Sequence, residues 1–481
     1  MKTPKKHDSP PLAQLINWIF RPLEFLEECA DKYGGIFYLN LMGLPPFTVV
    51  SDPKGIQDIL SVDAQKFDVG STNNLAGSLL GDNSLVLLDG ATHKRQRKLM
   101  MPPFHGEKVK SYARTICHIT EKVTNRWQKN ETFVAQKAMQ DITLETILHV
   151  VFGLSEGERY QNIKPPLIEL LDLTGSPLKA SIVFFPFLQQ DLGEWSPWGK
   201  VVRRRRKIYE LLQAEIDERT RVLKDTAPHI GVRRKGTHEL DDRRANPELR
   251  GNDVLSLLMS ARDEAGEGLS DIELKDQMMT LLVAGHETTA TSLSWALYWV
   301  HKLPEVKDKL LAELANIDEN SDPLEIARLP YLNAVCNETL RICPVAFMAF
   351  MRMAKHPVEI MGHHFAAGSI VVPSIYLTHH REDIYPEPKK FKPERFLERQ
   401  YSPYEFLPFG GGNRRCIGYA LALLEMKLVL ATVLRKYDLD LASDRPIKSL
   451  RRGATVAPHN GVPLTLKEKR ISQVQENLSV I

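Results

Sequence analysis

The chain has 481 residues, 43% hydrophobic and 26% charged, with a formal net charge of +3. That composition supports a large apolar core, and the small charge, with no basic run interleaved with aromatics, excludes a nucleic-acid binder. Its five cysteines, Cys29, Cys117, Cys336, Cys343 and Cys416, are few, odd in number and unpatterned, which argues against a disulfide framework and fits a reducing compartment.

Residues 1–30 form an N-terminal lead in which Lys2, Lys5 and Lys6 precede a broken apolar stretch at 12–20. A membrane anchor needs about 20 uninterrupted apolar residues and a signal peptide needs a small-residue cleavage site. Neither is present, so a short packed helix is expected, with peripheral contact at a membrane surface as the alternative. Strand composition with flanking turn residues marks 35–41, 47–50 and 369–373. Helical periodicity covers 109–128, 202–224, 271–302 and 417–436, so a mainly α protein with a small β-sheet region is predicted. The run Arg203-Arg204-Arg205-Arg206-Lys207 reads as a solvated face at a helix start, or as a contact for an anionic lipid or partner. Residues 225–251 hold many charges and little apolar content, and are expected to form an exposed loop.

Ser270 and Glu273 have the spacing of a capping box, and the helical pattern after them continues to Pro304. Such a helix is about 45 Å long and must pass beside any buried cofactor. Gly285, Glu287, Thr288 and Thr289 interrupt its apolar centre. A hydroxyl and a carboxylate beside a small residue can conduct protons while bulk water stays out. The bland reading is a threonine bonded to its own helix and an exposed glutamate. His286-Glu287-Thr288-Thr289-Ala290 begins like a zinc-peptidase helix, but Ala290 stands where the second histidine must be.

Phe409-Gly410-Gly411-Gly412-Asn413-Arg414-Arg415-Cys416-Ile417-Gly418 runs directly into a helical pattern. A cysteine at such a junction has N–H groups and the positive helix end directed at its sulfur, which favours a metal-binding thiolate. Glycines let the backbone approach a flat ligand, and Arg414 offers a bidentate cation for a carboxylate. These features suit a thiolate-ligated haem. A glycine-rich turn around a structural cysteine stays open as an alternative, whereas a nucleotide loop fails because Arg415 stands where a third glycine is needed.

Phe409-x-x-Gly412-x-Arg414-x-Cys416-x-Gly418 resembles the haem loop of the cytochrome P450 family. The chain is similar to that family at four further places in the same order: His93-Lys94-Arg95-Gln96-Arg97, Ala284-Gly285-His286-Glu287-Thr288-Thr289, Glu338-Thr339-Leu340-Arg341 and Pro393-Glu394-Arg395-Phe396. The resemblance implies a single cytochrome P450 domain over 1–481, with haem b (iron protoporphyrin IX) between the long helix and the helix after the cysteine. It assigns Cys416 to the iron and Phe409, Gly418, Ala284 and Gly285 to the haem surroundings. His93, Arg97, Arg352 and Arg414 are its candidates for the propionates; His93 stands where the family more often has tryptophan. Glu338, Arg341 and Arg395 become a network supporting the loop, and Thr288 and Glu287 the catalytic hydroxyl and proton relay.

The implied activity is insertion of one oxygen atom from O2 into a C–H bond, because thiolate donation to iron favours O–O cleavage. Positions matching the family's substrate pocket are Ala284, Val345, Ala346, Phe347, Met348, Thr455 and Val456, and an apolar lid is expected at 182–188. Apolar lining suits a lipophilic substrate. Resemblance to cyanobacterial members at 85–90 and 101–106 points to a long-chain fatty acid first and a terpene second. No flavin domain is expected after Ile481, so electrons would come from a ferredoxin or flavodoxin with an NAD(P)H-dependent reductase, docking on Lys94, Arg95, Lys98 and Arg415. A soluble, cytoplasmic monomer without a stable membrane anchor is expected. Two alternatives remain: a haem-thiolate isomerase or ligand sensor that does not activate O2, and a hydrolase with a nucleophilic cysteine.

Overall fold

The computed structural model describes residues 3–72, 77–172, 189–226, 253–318, 321–453 and 455–470. The lid expected at 182–188 and the charged loop from 227 onward lie outside the described residues, while 225 and 226 end a helix. The chain divides into two compact units, one made of residues 1–73, 104–144 and 285–481, the other of 74–103 and 145–284.

The first unit carries the sheets. A six-stranded sheet runs in the order Lys5–Lys6, Ile36–Leu39, Phe47–Val50, Ile370–Pro373, Arg352–Ala354, Phe67–Asp68. Three expected strand regions therefore lie side by side in it. Helix starts follow from proline, whose fixed φ and missing N–H suit the first helical position: Pro11–Phe20, Pro22–Tyr33, Pro53–Leu60, Pro304–Ala315 and Pro330–Ile342 all begin this way. The two N-terminal helices bury Trp18, Phe25 and Leu26 against Phe37, Phe47 and Val49 of the sheet and against Phe347 and Val456. Each such side chain contributes about 1.5–3 kcal/mol of burial. Opposite that face, Leu12, Ile16 and Phe20 are 49%, 50% and 70% exposed, so the lead is two packed helices rather than one, the first with an apolar outer stripe.

Helix Tyr419–Lys436 packs on Ala113–Thr124, Pro330–Ile342 and Pro304–Ala315, which buries nearly its whole circumference and sets the direction in which the cysteine loop enters. The helix expected at 109–128 is two helices, Gly106–Ser111 and Ala113–Thr124. Tyr112 between them donates its N–H to Val109 O at 3.2 Å, a tighter i−3 turn that breaks the α ladder.

In the second unit, Pro197–Thr226 starts ahead of the expected 202, again at a proline. The basic run thus lies in its second and third turns rather than at its start, which removes the dipole conflict. Arg203 pairs with Asp191 at 3.0 Å, Arg204 with Glu169, and Lys207 with Glu210 at 3.9 Å. Buried Asp276 accepts from Asn83 N and Nδ2, both at 2.9 Å, and from Tyr209 Oη at 2.5 Å, fastening the 77–87 segment and the basic helix to Asp271–Lys302.

Asp271–Lys302 has the expected bounds, and the capping box forms: Ser270 N donates to Glu273 Oε2 at 2.8 Å, and Glu273 N to Ser270 Oγ at 3.4 Å. The boundary between the units falls inside this helix, Ala284 ending one and Gly285 opening the other. No described helix is long and apolar enough to cross a membrane.

Candidate active site

The cysteine loop is shaped by its glycines. Gly410 and Gly412 have φ of +66° and +65°, the left-handed region that side chains disfavour, and a Cβ on Gly411 would stand 2.5 Å from Leu60 Cδ1. Gly410 N donates to Leu407 O and Cys416 N to Phe409 O, both at 2.9 Å, so the loop closes on itself before Gly418 begins the helix. Arg415 lies over the Tyr419 ring at 4.0 Å. Of the five cysteines only Cys416 is exposed. Burial pushes the thiols of Cys29, Cys336 and Cys343 up to about 12 and raises that of Cys117, so those four stay protonated.

Behind the loop, Glu338 and Arg341 face the same side of Pro330–Ile342 and are both 0% exposed. Arg341 donates Nε to Glu338 Oε2 at 2.7 Å and Nη2 to Oε1 at 2.8 Å; Arg395 Nε adds a bond to Oε1 at 3.1 Å, and Lys392 N one at 2.8 Å. The i, i+3 spacing by itself suggests a surface pair worth a few tenths of a kcal/mol. Burial changes that scale, because removing one charge strands the others.

The network reaches the loop through a residue that no motif marks. Arg341 Nη1 donates to His379 O at 2.7 Å, and the His379 ring Nε2 accepts from Leu407 N at 3.0 Å, one bond from Gly410. Burial, helped by the Arg341 charge, holds His379 well below the usual histidine range, so the ring is neutral and can accept. Arg352, fully buried in the main sheet, donates to Phe350 O at 2.6 Å and to Gly411 O at 3.4 Å. Arg414 is buried within the loop.

On the long helix Ala284 is exposed and Gly285, Glu287 and Thr288 are half-buried, while His286 and Thr289 are buried, as are Met278 and Met279 before them and Ala290 to Tyr298 after them. Of the residues the sequence singled out, Gly285, Glu287 and Thr288 are accessible and Thr289 is not. Glu287 Oε1 accepts from Arg452 Nη1 at 3.1 Å and Gln136 Nε2 at 3.3 Å, and its Oε2 from Gln140 Nε2. Sequence reading missed all three donors. The Thr288 carbonyl accepts from Ser292 Oγ at 3.1 Å. His286 Nδ1 lies 3.1 Å from Thr143 Oγ1, and burial lowers this ring to about 4.

Among the pocket candidates, Val456 N donates to Val345 O at 2.9 Å and Ala346 bridges Thr455, so the structure joins these two segments. Ala346, Met348 and Thr455 are half-buried; Phe347 and Val456 belong to the core that contains Trp18.

In the second unit, His93 and Arg97 lie one turn apart on Gly90–Met100, His93 buried and Arg97 half-buried. Two of the docking candidates on that helix already have partners. Arg95 Nε donates to Asp263 at 2.6 Å and Lys98 Nζ to Glu264 at 2.5 Å. Arg95 is half-buried, whereas Lys94 and Lys98 are both exposed, the latter in its pair with Glu264.

This donor set fits an iron porphyrin: one accessible thiol, a loop without side chains at its three glycines, and buried guanidinium groups beside it. The cytochrome P450 family profile matches residues 9–464. The chain is 34% identical to a Mycobacterium tuberculosis protein described as cytochrome P450 135B1, over 93% of this chain and 88% of the relative. A second protein of that organism, cytochrome P450 135A1, is 31% identical over 93% of this chain and 91% of its own length. A solved structure of a retinoic acid-bound cyanobacterial CYP120A1 superposes with a TM-score of 0.79 at 23% identity, covering 98% of this chain and 100% of the other. The fold, the cysteine loop and these relatives agree, and the chain belongs to the cytochrome P450 family of haem-dependent monooxygenases.

Proposed function

We propose that the protein hydroxylates a lipophilic substrate, a long-chain fatty acid in the first place and a terpene in the second, by the balance R–H + O2 + NAD(P)H + H⁺ to R–OH + H2O + NAD(P)⁺. The observation that carries the site assignment is the contrast between accessible Cys416 and four cysteines held as thiols by burial. Haem supplies the iron chemistry when bound. The chain supplies the rest: Cys416 donates its thiolate, the glycines admit the macrocycle, and Arg352 and Arg414 neutralise propionates. His93 and Arg97, in the second unit, keep the propionate role given by the family resemblance. Thr288 holds and Glu287 relays protons, while the half-buried Ala346, Met348 and Thr455 offer apolar contact.

The retinoic acid bound by the cyanobacterial structure joins an isoprenoid chain to a carboxylate, which supports both substrate classes. Electrons come from a separate ferredoxin or flavodoxin and its reductase, with Lys94 and Arg415 as the exposed cations open to a partner. A monomer working in the reducing cytoplasm completes the reading. The test is optical. The reduced protein with carbon monoxide should show the red-shifted band of thiolate ligation, Cys416→Ala should abolish it, and a spin shift screened across fatty acids, terpenes and retinoids should name the substrate. Haem-free protein with thiol-dependent hydrolase activity would sink the proposal.

A further inference from the structure

Three donors from two distant parts of the chain converge on one carboxylate. Arg452 ends the strand Ser449–Arg452, and Gln136 and Gln140 lie one turn apart on the helix Ala135–Phe152. Through these groups Glu287 Oε1 takes two N–H bonds and Oε2 takes one. Gln136 Nε2 also donates to Thr291 Oγ1 at 3.0 Å, one turn beyond Glu287, which locks the orientation of that amide. The Arg452 and Glu287 side chains are only 20% and 25% exposed, so solvent screens their attraction less than it would at the surface.

A carboxylate has about four acceptor positions, two on each oxygen. Both positions on Oε1 are occupied and one remains on Oε2. Two buried polar atoms of the same cluster, Gln136 Oε1 and Arg452 Nε, have no hydrogen-bond partner among the described residues. Buried polar atoms left without partners are costly and rare in native proteins, and where they occur they call for an explanation such as a catalytic role. Arg452 also belongs to the hairpin of a substrate candidate: Thr455 Oγ1 donates to Arg452 O at 2.8 Å, and Thr455 bridges Ala346.

We infer that Arg452 is a positioning residue for proton delivery, anchoring Oε1 of Glu287 so that Oε2 is the oxygen that passes protons. The inference rests on the reading of Glu287 as a proton relay. Arg452 touches no reacting atom and acts only through the carboxylate it orients. Hydroxylation (R–H + O2 + two electrons + two protons to R–OH + H2O) and peroxide release (O2 + two electrons + two protons to H2O2) consume the same electrons and protons. They differ in whether the protons go to cleaving the O–O bond, so faulty proton delivery appears as released peroxide per NADPH oxidised.

The experiment uses the holoprotein with NADPH, a [2Fe–2S] ferredoxin and its reductase, with and without palmitic acid as the probe, and reads peroxide released per NADPH oxidised. Arg452→Gln should raise that ratio and slow productive turnover on the order of tenfold, below the roughly 10²–10⁴-fold of an acid–base group itself. It should also change the solvent isotope effect on NADPH oxidation, which a merely structural role would leave alone, and Arg452→Lys should restore most of the loss. A second readout needs no turnover: thermal midpoints of Glu287→Gln, Arg452→Gln and the double variant should be non-additive. Should Glu287→Gln release peroxide while both Arg452 variants behave as wild type, the positioning role is overturned and the relay reading survives. A normal ratio in Glu287→Gln overturns both. Additive midpoints overturn the pair even where Arg452→Gln impairs haem retention.

Discussion

The cysteine loop and the middle of the long helix both rest on a glutamate held by arginine, yet the two arrangements differ in burial and in consequence. Glu338 accepts from two guanidiniums and a backbone N–H with no exposure at all, and its partners extend through His379 to the loop backbone. Glu287 accepts from one guanidinium and two amides, is a quarter exposed, and keeps an acceptor position open. A charge sealed on all sides can only support; a charge with one side open can exchange protons. The same residue types therefore suit rigidity in one place and, on the proposed reading of Glu287, proton transfer in the other.

The comparison breaks first at Cys416. Cys416→Ala should remove the thiolate-type carbon monoxide band completely while leaving the Glu338 network intact, as seen by unchanged far-ultraviolet circular dichroism. On the helix side, Thr288→Ala should retain that band and substrate binding but lose product per NADPH oxidised, up to the roughly 10²–10⁴-fold typical of acid–base groups. Unchanged coupling would move the protein toward the isomerase or sensor class.

Stability separates the two glutamates next. Glu338→Gln leaves Arg341 and Arg395 buried without their counter-charge and should cost about 3–5 kcal/mol in chemical denaturation, with haem lost early. Glu287→Gln, in a partly solvated cluster, should cost about 1 kcal/mol or less. Equal costs would mean that burial does not separate the two glutamates.

Acid should weaken both regions through neutral histidines. Burial lowers His286 from 6.5 to about 4, and burial with the Arg341 charge places His379 well below 6.5. The unfolded chain binds protons at these rings near pH 6.5, before the folded chain does, so stability is full above 6.5 and falls as the pH drops toward 4. His286 alone accounts for a loss on the order of 3 kcal/mol. Urea midpoints at pH 7.5 and 4.5 check this, and a flat profile would mean that the rings titrate alike in the folded and the unfolded chain.

Much of this was legible in the sequence because it is local. The capping box and Pro304 bound the long helix, and the glycines, arginine and cysteine of the loop act on one another within ten residues. Glu338 and Arg341 were visible as a pair, although their spacing suggested an exposed one. What tertiary structure alone decided lies between segments far apart in the chain. His379 meets Leu407 across 28 residues, and Gln136 and Arg452 reach Glu287 across 151 and 165, with nothing in the local pattern to announce them. Arg95 and Lys98 read as open cations until Asp263 and Glu264 were found beside them. Phe347 and Val456 read as pocket positions by resemblance, and only the structure shows them packed in the cluster around Trp18, since apolar character states a preference for leaving water without naming the neighbour that provides the cover. Periodicity, caps and glycine placement act through covalent neighbours and survive in one dimension. Charge pairing and burial depend on which surfaces the folded chain brings together, and only the packed molecule determines that.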